Sequence, residues 1–247
     1  MKKPFLLCLM AGLCLNSMVA QDKAPNPDWP KGIDPATLAL NEEPEPAFSG
    51  DGFIELFNGK DLTGWVVLGG EMPFVVNNGE IVGTCVKGVH PNSFLCTEKT
   101  YTDFIFTTEF KWDIPGNSGI MFRAGAREPD KKGIRRVYGC QSEMDPTERG
   151  WTGGIYGEAM KGWIYPLSRT EEHEKARKAV QELTEWNRMT IYARRNVLRT
   201  WINGVPCAYS LNDLCKEGFF GLQVHQGPEG TIRWRNIRVK ELHPATD

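Results

Sequence analysis

The sequence lacks several patterns that mark large classes of proteins. No pair of cysteines has the CxxC spacing, so a zinc site built from cysteines is not expected. The 29 basic and 31 acidic residues leave a formal net charge of -2 with no basic stripe, which argues against a nucleic-acid partner. No internal repeat of fixed period and no low-complexity tract is present. With 40% hydrophobic residues among 247, the chain is long enough for one sizeable core.

The N-terminus has the pattern of a secretory signal peptide over residues 1–20. Two lysines precede a short apolar run at 5–15, and Ala20 is a small residue at the expected cleavage point. The apolar run is too short to span a membrane, and no later segment is apolar enough. We therefore expect an exported protein, periplasmic or extracellular, with no stable membrane span. An outer-membrane lipoprotein processed at Cys14 fits less well, because Leu13 is large where a small residue is required.

Residues 21–48 and 49–243 differ in composition. The first stretch is rich in proline and acidic residues, so it predicts a linker or an extended arm, with a short helix beginning at Asp34-Pro35. The second stretch contains short alternating runs, such as FIFTTEFKW (104–112), separated by Asn-Gly and Pro-Gly turn signals. This pattern predicts an all-β fold, a two-sheet antiparallel β-sandwich of the jelly-roll type.

One short helical insertion interrupts the strands. Apolar residues recur at the spacing of one helix face over 171–183, and Ser168 or Thr170 is available as the N-cap. We expect His173 and His243 to lie at the surface. The tryptophans within alternating runs are predicted to be in the core; they are Trp65, Trp112, Trp201 and Trp234.

The cysteines after the signal leave two alternatives open. They are Cys85, Cys96, Cys140, Cys207 and Cys215. An odd number leaves at least one thiol unpaired in an exported protein. Cys85 with Cys96, or Cys207 with Cys215, are candidates for disulfides across hairpins. The alternative is that these residues are small buried hydrophobes.

The most informative segment is 137–163. It begins as a strand in which Gln141, Glu143 and Asp145 occupy alternate positions, so their side chains share one face. A purely structural strand would carry scattered, interchangeable polar residues there. Aromatic residues follow closely, namely Trp151, Tyr156, Trp163 and Tyr165. Aromatic rings stack on the C–H faces of sugars while carboxylates and amides bind hydroxyl groups, so this segment favours a carbohydrate ligand.

These segments together resemble the 3-keto-disaccharide hydrolase domain family, whose members are similar to concanavalin A-type lectin/glucanase sandwiches. The resemblance extends from about residue 50 to 242. It is carried by LFNGKDLTGW (56–65), GNSGIMFRA (116–124), YGCQSEMDP (138–146), TGGIYGE (152–158), GLQVHQGP (221–228) and IRWRNIRVKEL (232–242). It implies an exported hydrolase whose partner is a carbohydrate already oxidised to a ketone at carbon 3.

Catalytic candidates are assigned on this basis. Glu143 and Asp145 are interpreted as a base or as oxygen ligands of a divalent metal, the one cofactor that the sequence suggests. Glu158 follows a glycine-rich loop and is the candidate second acid. His225, at a strand end, is a candidate acid, base or metal ligand. The alternative for each acid is a solvated surface charge, and for His225 a structural role.

Substrate-binding candidates form a second group. They are Gln141, Arg123, Asn117, Tyr156 and Trp163. Gln141 is interpreted as orienting substrate or an acid, and Arg123 as stabilising an enolate. The alternatives are a surface amide, a salt bridge, turn chemistry at Asn117 and core packing of the aromatic rings.

Three functions are consistent with the sequence. The first is cleavage of 3-keto-glycosides or 3-keto-disaccharides by removal of the C2 proton, elimination and addition of water. The second is a non-catalytic carbohydrate-binding module, since fold does not fix function. The third is an ordinary glucanase-like glycosidase, which needs two carboxylates about 5–5.5 Å apart when it retains configuration.

Overall fold

The computed structural model describes residues 30–167 and 173–242, which form two antiparallel sheets packed face to face. Sheet A has the order β13-β12-β11-β6-β15-β4-β3, with β1 paired to β15, and sheet B has the order β10-β9-β8-β7-β14-β5-β2. The strands of sheet A are β1 (Ile54–Glu55), β3 (Phe74–Asn77), β4 (Glu80–Thr84), β6 (Phe104–Ile114), β11 (Asn187–Arg194), β12 (Val197–Ile202), β13 (Val205–Leu211) and β15 (Thr231–Glu241). The strands of sheet B are β2 (Trp65–Gly69), β5 (Ser93–Thr97), β7 (Ser118–Ala126), β8 (Val137–Met144), β9 (Ile155–Glu158), β10 (Gly162–Tyr165) and β14 (Phe219–Val224). The predicted all-β, two-sheet antiparallel sandwich is confirmed.

Tight turns join several neighbouring strands at the positions that the sequence predicts. Asn78 and Gly79, between β3 and β4, have φ of 53° and 78°. Asn203 and Gly204, between β12 and β13, have φ of 51° and 84°. Two successive residues with positive φ form the type I′ turn whose twist matches that of a β-hairpin. The Asn-Gly pairs therefore set the register of these hairpins.

The main core lies between the two sheets. Alternate residues of β6, including Phe104, Phe106, Phe110 and Trp112, are fully buried there. Trp65 and Trp234 are also buried in this core, as predicted. The prediction that Trp201 is a core residue is confirmed by its burial, although it does not lie between the two sheets. Trp201 is buried, but its neighbours Leu198 and Ile202 face the core, so Trp201 lies on the opposite face of β12.

Residues 30–48 cover that outer face as an extended arm. The indole of Trp201 donates to the carbonyl of Glu43 at 2.9 Å, and the amide of Asn41 donates to the carbonyl of Thr200 at 3.0 Å. The Glu45 carboxylate accepts two hydrogen bonds from Arg188. These contacts explain how a proline-rich segment is held without strand pairing of its own.

Two short helices are present in the described residues. The first is a 3-10 turn, Pro35–Thr37, capped by Asp34 as predicted. The second, α1 (Glu174–Arg177), is shorter than the predicted 171–183. The backbone after α1 turns toward sheet A, where the N–H of Gln181 donates to the side chain of Asn187. The apolar residues that suggested a longer helix still pack on the core, but they do so from one helical turn and the loop that follows it.

A disulfide joins Cys140 of β8 to Cys215, across 75 residues of sequence. The predicted hairpin pairs are wrong. Cys85, Cys96 and Cys207 are free and buried, which confirms the alternative for these three. Cys140 faces the core side of β8, and the segment before β14 brings Cys215 to within 6.1 Å between Cα atoms. Pairing thus follows a long-range contact that spacing does not reveal.

His173 is buried, so its predicted place at the surface is wrong. Its Nε2 lies 2.8 Å from the hydroxyl of Tyr165, which also donates to the carbonyl of Ala39. Packing of the arm over this region removes His173 from solvent. The predicted signal peptide at 1–20, residues 21–29 of the arm, the helix caps at 168 and 170, and His243 lie outside the described residues. Within 30–167 and 173–242, no helix has the length and hydrophobicity to cross a membrane.

Candidate active site

The side chains of Gln141 and Glu143 in β8 point away from sheet A, as the alternation predicts. Cys140 and Met144 pack in the core between the sheets, whereas Gln141 and Glu143 line a pocket of about 310 Å³ on the other face. Asp145 follows the last residue of β8, so its side chain is set by the next loop rather than by the strand. The lining residues of this central pocket are Asn117, Gln141, Glu143, Arg149, Tyr156, Glu158, Trp163, Gln223 and His225.

Glu143 lies at the centre of the polar contacts. Its Oε1 accepts a 2.6 Å hydrogen bond from the amide of Asn117, and its Oε2 accepts a 3.4 Å bond from Gln141. Arg149 Nη2 is 3.8 Å from Oε1. Burial raises the pKa of Glu143 from 4.5 to about 7, although the Asn117 hydrogen bond opposes this change. A carboxyl with this pKa can hold or release a proton near neutral pH.

The buried side-chain amides of Gln141 and Gln223 contact each other, and Gln141 also contacts Glu143. Gln141 Nε2 contacts Gln223 Oε1 at 3.2 Å, and Gln223 Nε2 contacts Gln141 Oε1 at 3.4 Å. The Gln141 side chain crosses over Gly119, which is paired with Glu143 in the neighbouring strand β7. A Cβ at Gly119 would lie 2.1 Å from Gln141 Nε2. Glycine therefore leaves the space that Gln141 occupies.

Asp145 holds Arg149 rather than facing the central pocket. Its Oδ1 accepts from the hydroxyl of Thr147 at 2.7 Å, and its Oδ2 accepts from Arg149 Nε at 2.7 Å. The guanidinium also stacks on aromatic rings, 4.3 Å from the Trp151 centroid and 5.4 Å from that of Trp163. A guanidinium fixed in this way keeps its remaining donors directed at the pocket.

Tyr156 and Trp163 form an aromatic wall. Their ring centroids are 5.3 Å apart in an edge-to-face arrangement. Trp151 lies behind Trp163 at 4.7 Å and is fully buried, so its faces cannot contact a ligand. Burial raises the pKa of Tyr156, and the charge of Glu158 adds to this effect. The wall thus offers one indole and a protonated phenol to a bound sugar.

Glu158 and His225 complete the pocket from opposite sides. Glu158 lies at the end of β9, paired with Gly139, and burial raises its pKa. His225 follows β14, and burial lowers its pKa, so the neutral ring is favoured. Its Nδ1 is 2.6 Å from the carbonyl of Gln226. Because a carbonyl only accepts, Nδ1 carries the proton, and Nε2 is an acceptor in the neutral ring.

Two larger pockets adjoin the central pocket. The His225-side pocket, about 770 Å³, shares Asn117, Arg149 and His225 with it. The Glu158-side pocket, about 640 Å³, shares Glu158. A ligand longer than one sugar ring therefore has room on either side of Glu143.

Arg123 is not at this site, so its predicted role in substrate binding is wrong. Its side chain is buried and donates to the carbonyls of Thr102, Arg195 and Cys215 and to the carboxylate of Asp103. The predicted alternative, a salt bridge, describes it. A φ of 47° and a register shift after Phe122 break the alternation of β7, and this redirects the side chain.

The carboxylates predicted as metal ligands face hydrogen-bond donors. Both oxygens of Glu143 accept from amides, and both oxygens of Asp145 accept from Thr147 or Arg149. In the part of the chain that the structure describes, no group of three or more His, Cys, Asp or Glu is placed to hold a metal. Carboxylates already committed to these donors do not suit a cation, and a divalent ion stays a prediction.

Two lining residues were missed by the sequence reading. Arg149 lies in a loop, where no periodicity indicates direction. Gln223 is a polar residue between Leu222 and Val224 in an otherwise apolar strand. The same alternation rule that identified Gln141 would have indicated Gln223.

Comparison with known proteins agrees with the fold. Residues 52–240 match the family described as the 3-keto-alpha-glucoside-1,2-lyase-like domain. No match was found among curated proteins.

Three solved structures illustrate the likeness. A provisionally designated glycosyl hydrolase from Parabacteroides distasonis ATCC 8503, solved at 1.70 Å, is 19% identical, with 78% of this chain and 95% of that chain covered and a TM-score of 0.55. A second from the same organism, solved at 2.13 Å, is 22% identical, with 88% and 100% covered and a TM-score of 0.50. A Bacillus subtilis protein of unknown function with a galectin-like fold is 14% identical, with 73% and 90% covered and a TM-score of 0.52.

At these identities the structures support the fold alone. The family match spans most of the chain, from just before β1 to the end of β15. The chain therefore belongs to the family of 3-keto-alpha-glucoside-1,2-lyase-like domains, a family of carbohydrate-acting, hydrolase-like proteins.

Proposed function

We propose that this protein cleaves 3-keto-glycosides or 3-keto-disaccharides by elimination followed by addition of water. The observation that carries this proposal is Glu143, a buried carboxyl with a pKa of about 7 at the floor of a polar pocket with an aromatic wall. Ordinary carboxylates are weak bases, whereas one with a pKa near the operating pH is suited to proton abstraction.

The chemistry begins with the hydrogen on C2, which the neighbouring C3 ketone makes acidic. A base removes this proton, and the electron pair forms an enolate. The C1–O bond then breaks as a C1=C2 double bond forms, and the departing oxygen takes a proton from an acid. Water adds its oxygen to C1 and a proton to C2, giving the free 3-keto sugar and the released alcohol.

Each step of the elimination has a residue suited to it. Glu143 is proposed as the base at C2. Arg149, held by Asp145 and 3.8 Å from Glu143 Oε1, is proposed to stabilise the negative charge that develops on the ketone oxygen. Glu158, whose pKa is raised by burial, is proposed to protonate the departing oxygen. Asp145 thus acts as a positioning residue in this proposal, not as a base.

The remaining pocket residues are proposed to bind the sugar. The ring of Trp163 stacks on it, and the phenol of Tyr156 donates to a hydroxyl group. His225 Nε2 accepts from another hydroxyl, since its Nδ1 proton is used by the Gln226 carbonyl. Asn117 and Gln141 hold Glu143 through their amides.

Glu143→Gln tests the proposal. We expect turnover of a 3-keto-disaccharide to fall by at least about 100-fold, because the amide cannot accept the C2 proton. Glu148→Gln is the matched control, since Glu148 is an exposed acid in the next loop and does not line the pocket. Equal rates in the wild type and Glu143→Gln would remove Glu143 from this role.

The substrate comparison separates the alternatives. Release of sugar from the 3-keto-disaccharide but not from the unoxidised disaccharide supports the proposal. Turnover of the unoxidised sugar instead would support an ordinary glycosidase. Binding of glycan without turnover of either would support a carbohydrate-binding module. A parallel assay with chelator tests whether a divalent metal takes part.

We also propose that the protein acts outside the cytoplasm, in the periplasm or the extracellular space. The Cys140–Cys215 disulfide supports this, because disulfides persist in oxidising compartments. Cell fractionation, with detection of the chain lacking residues 1–20, tests it. Recovery of the full-length chain in the cytoplasm would contradict it.

A further inference from the structure

The loop from β7 to β8 carries charge that differs from that of the whole chain. Residues 127–136, REPDKKGIRR, contain five basic and two acidic residues, a formal charge of +3, whereas the chain has -2. The loop is folded back on itself, since the N–H of Arg127 donates to the carbonyl of Arg136 at 2.9 Å. Asp130 Oδ1 accepts from the backbone of Lys132 and Ile134. One of its two acids is thus used to shape the loop.

This loop forms one wall of the Glu158-side pocket. Phe94 and Val137 provide apolar surface in it, and Arg127, Lys132 and Arg136 line it together with Glu158. Glu158 is the residue shared with the central pocket. Arg136 is close enough to Glu158 and Tyr156 for its charge to lower both pKa values, which places it where the two pockets meet.

The basic side chains of this pocket differ in whether their N–H donors already bond to other protein groups. The guanidinium of Arg127 donates to the carbonyl of Ala159 at 3.3 Å and lies over the ring of Tyr138. Within residues 30–167 and 173–242, the side chains of Lys132 and Arg136 make no hydrogen bond or ion pair with another protein group. An arginine with free donors at a pocket junction suits a planar anion, which it can bind through two parallel hydrogen bonds.

Acidic groups also face the pocket. Glu128 lies on its wall, and Asp130 is bonded to the backbone of its own loop. Burial raises the pKa of Glu158, and the charge of Arg136 opposes this change. Three acids therefore line this pocket beside Arg127, Lys132 and Arg136, so an anion would be recognised by the free donors of Lys132 and Arg136 rather than by an excess of positive charge.

We propose that the Glu158-side pocket receives the leaving group of the substrate and selects one that bears an anion, a carboxylate or a sulfate. The proposal rests on the proposed function, because Glu158 is there the acid that protonates the departing oxygen. A leaving group next to Glu158 enters the pocket that Arg136 and Lys132 line. Phe94 and Val137 would contact its apolar part, and the cations its charged end.

Two matched substrates test this. They are 3-keto-glucosides of 4-carboxyphenol and of its carboxamide, which have similar shape and differ in charge. The quantity compared is the ratio of kcat/KM for the two substrates in each variant, because differences in leaving-group reactivity cancel between variants. We expect Arg136→Gln and Lys132→Gln each to lower this ratio about 5- to 10-fold, in the range of a charge-assisted hydrogen bond. The analogue with a 4-sulfooxy group, a sulfate ester, shows whether sulfate is preferred to carboxylate.

Lys131→Gln is the matched control. Lys131 lies in the same loop and the substitution removes the same charge, but its side chain does not line the pocket. It should leave the ratio unchanged and so exclude a general effect of net charge. A ratio that Arg136→Gln and Lys132→Gln also leave unchanged would overturn the inference.

Failure of the proposed function gives a different result. In that case the wild type turns over neither substrate, and binding of the two unoxidised glucosides, measured by calorimetry, decides the inference. Tighter binding of the carboxylate, lost in Arg136→Gln and retained in Lys131→Gln, supports an anion subsite without catalysis. Equal binding of the two glucosides, or no binding of either, overturns it.

Discussion

The side-chain amide of Asn117, in the turn before β7, donates a 2.6 Å hydrogen bond to Oε1 of Glu143 in β8. This bond favours the ionised carboxylate and partly offsets the burial that raises the Glu143 pKa to about 7. The two opposing effects place the proton affinity of Glu143 near neutral pH. The position of Asn117 in the turn before β7 therefore has a direct chemical consequence.

Asn117→Ala should move the pH dependence of catalysis. If Glu143 acts as a base, kcat/KM rises with pH through about 7 as the carboxyl loses its proton. Loss of the Asn117 hydrogen bond removes a contact that lowers the pKa, so the pKa rises. The acid limb of the kcat/KM profile should therefore shift to higher pH. A profile with lower amplitude but the same midpoint would contradict this account.

Glu143→Gln should stabilise the protein at alkaline pH while it abolishes activity. The pKa of Glu143 is higher in the folded protein, about 7, than the ordinary 4.5, so the free energy of unfolding falls as pH rises between these values. The uncharged amide lacks this penalty. The variant should be more stable at pH 8 by up to about 3 kcal/mol, and the difference should vanish near pH 4.5. Urea unfolding at both pH values measures it; a pH-independent difference would contradict it.

Gly119→Ala should disturb the site without unfolding the sandwich. The new methyl group would displace the end of the Gln141 side chain, which is flexible, and so break its contacts to Glu143 and Gln223. We expect kcat/KM to fall about tenfold, in the range of one lost hydrogen bond. A double-mutant cycle with Gln141→Ala should be strongly non-additive, because both changes remove the same contacts. Additive effects would show that glycine acts by another route.

Arg123→Lys should affect stability but not the kinetics of the folded enzyme. Lysine cannot replace the four hydrogen bonds that Arg123 makes to three carbonyls and to Asp103. A loss of roughly 3 kcal/mol in the free energy of unfolding is expected for a damaged buried ion pair. KM should be unchanged at temperatures where the variant is folded. A raised KM with normal stability would instead support a role for Arg123 in substrate binding.

Reduction of the Cys140–Cys215 disulfide should lower stability. The bond closes a loop of 75 residues, for which a cost of about 2–4 kcal/mol is typical. Urea midpoints with and without reductant measure the effect. Cys207→Ala should leave the response to reductant intact, because Cys207 is a free thiol. Cys215→Ser should remove it, and a response that persists in Cys215→Ser would have another source.

The sequence correctly predicted the directions of side chains that depend only on local strand geometry. The alternation of β8 correctly placed Gln141 and Glu143 on one face, because successive strand side chains point to opposite faces. The same rule does not apply to Asp145, because Asp145 lies past the end of the strand. It also fails for Arg123, where a positive φ and a register shift break the alternation. Alternation therefore holds only as far as the strand stays regular.

Other features of the structure depend on side-chain contacts that no local sequence pattern indicates. Arg149 enters the pocket because Asp145 and the indole rings hold it, which no pattern in the loop indicates. Cys140 pairs with Cys215 through the packing of a returning segment. Trp201 is buried by the arm rather than by the opposite sheet. Cys140 and Trp201 therefore depend on partners far away in sequence, whereas Arg149 is held largely by neighbours in its own loop.

The pairing of the first strand with the last has a consequence for how this domain can be joined to others. Ile54 of β1 is paired with Val239 of β15, and Lys240 donates to the carbonyl of Asp51 at 3.0 Å. Both ends of the sandwich therefore leave it at one corner, on the sheet that does not carry the candidate site. A chain interrupted by this domain would resume close to where it stopped, so the sandwich is suited to insertion into a surface loop of another protein, or to circular permutation, with its pocket unobstructed.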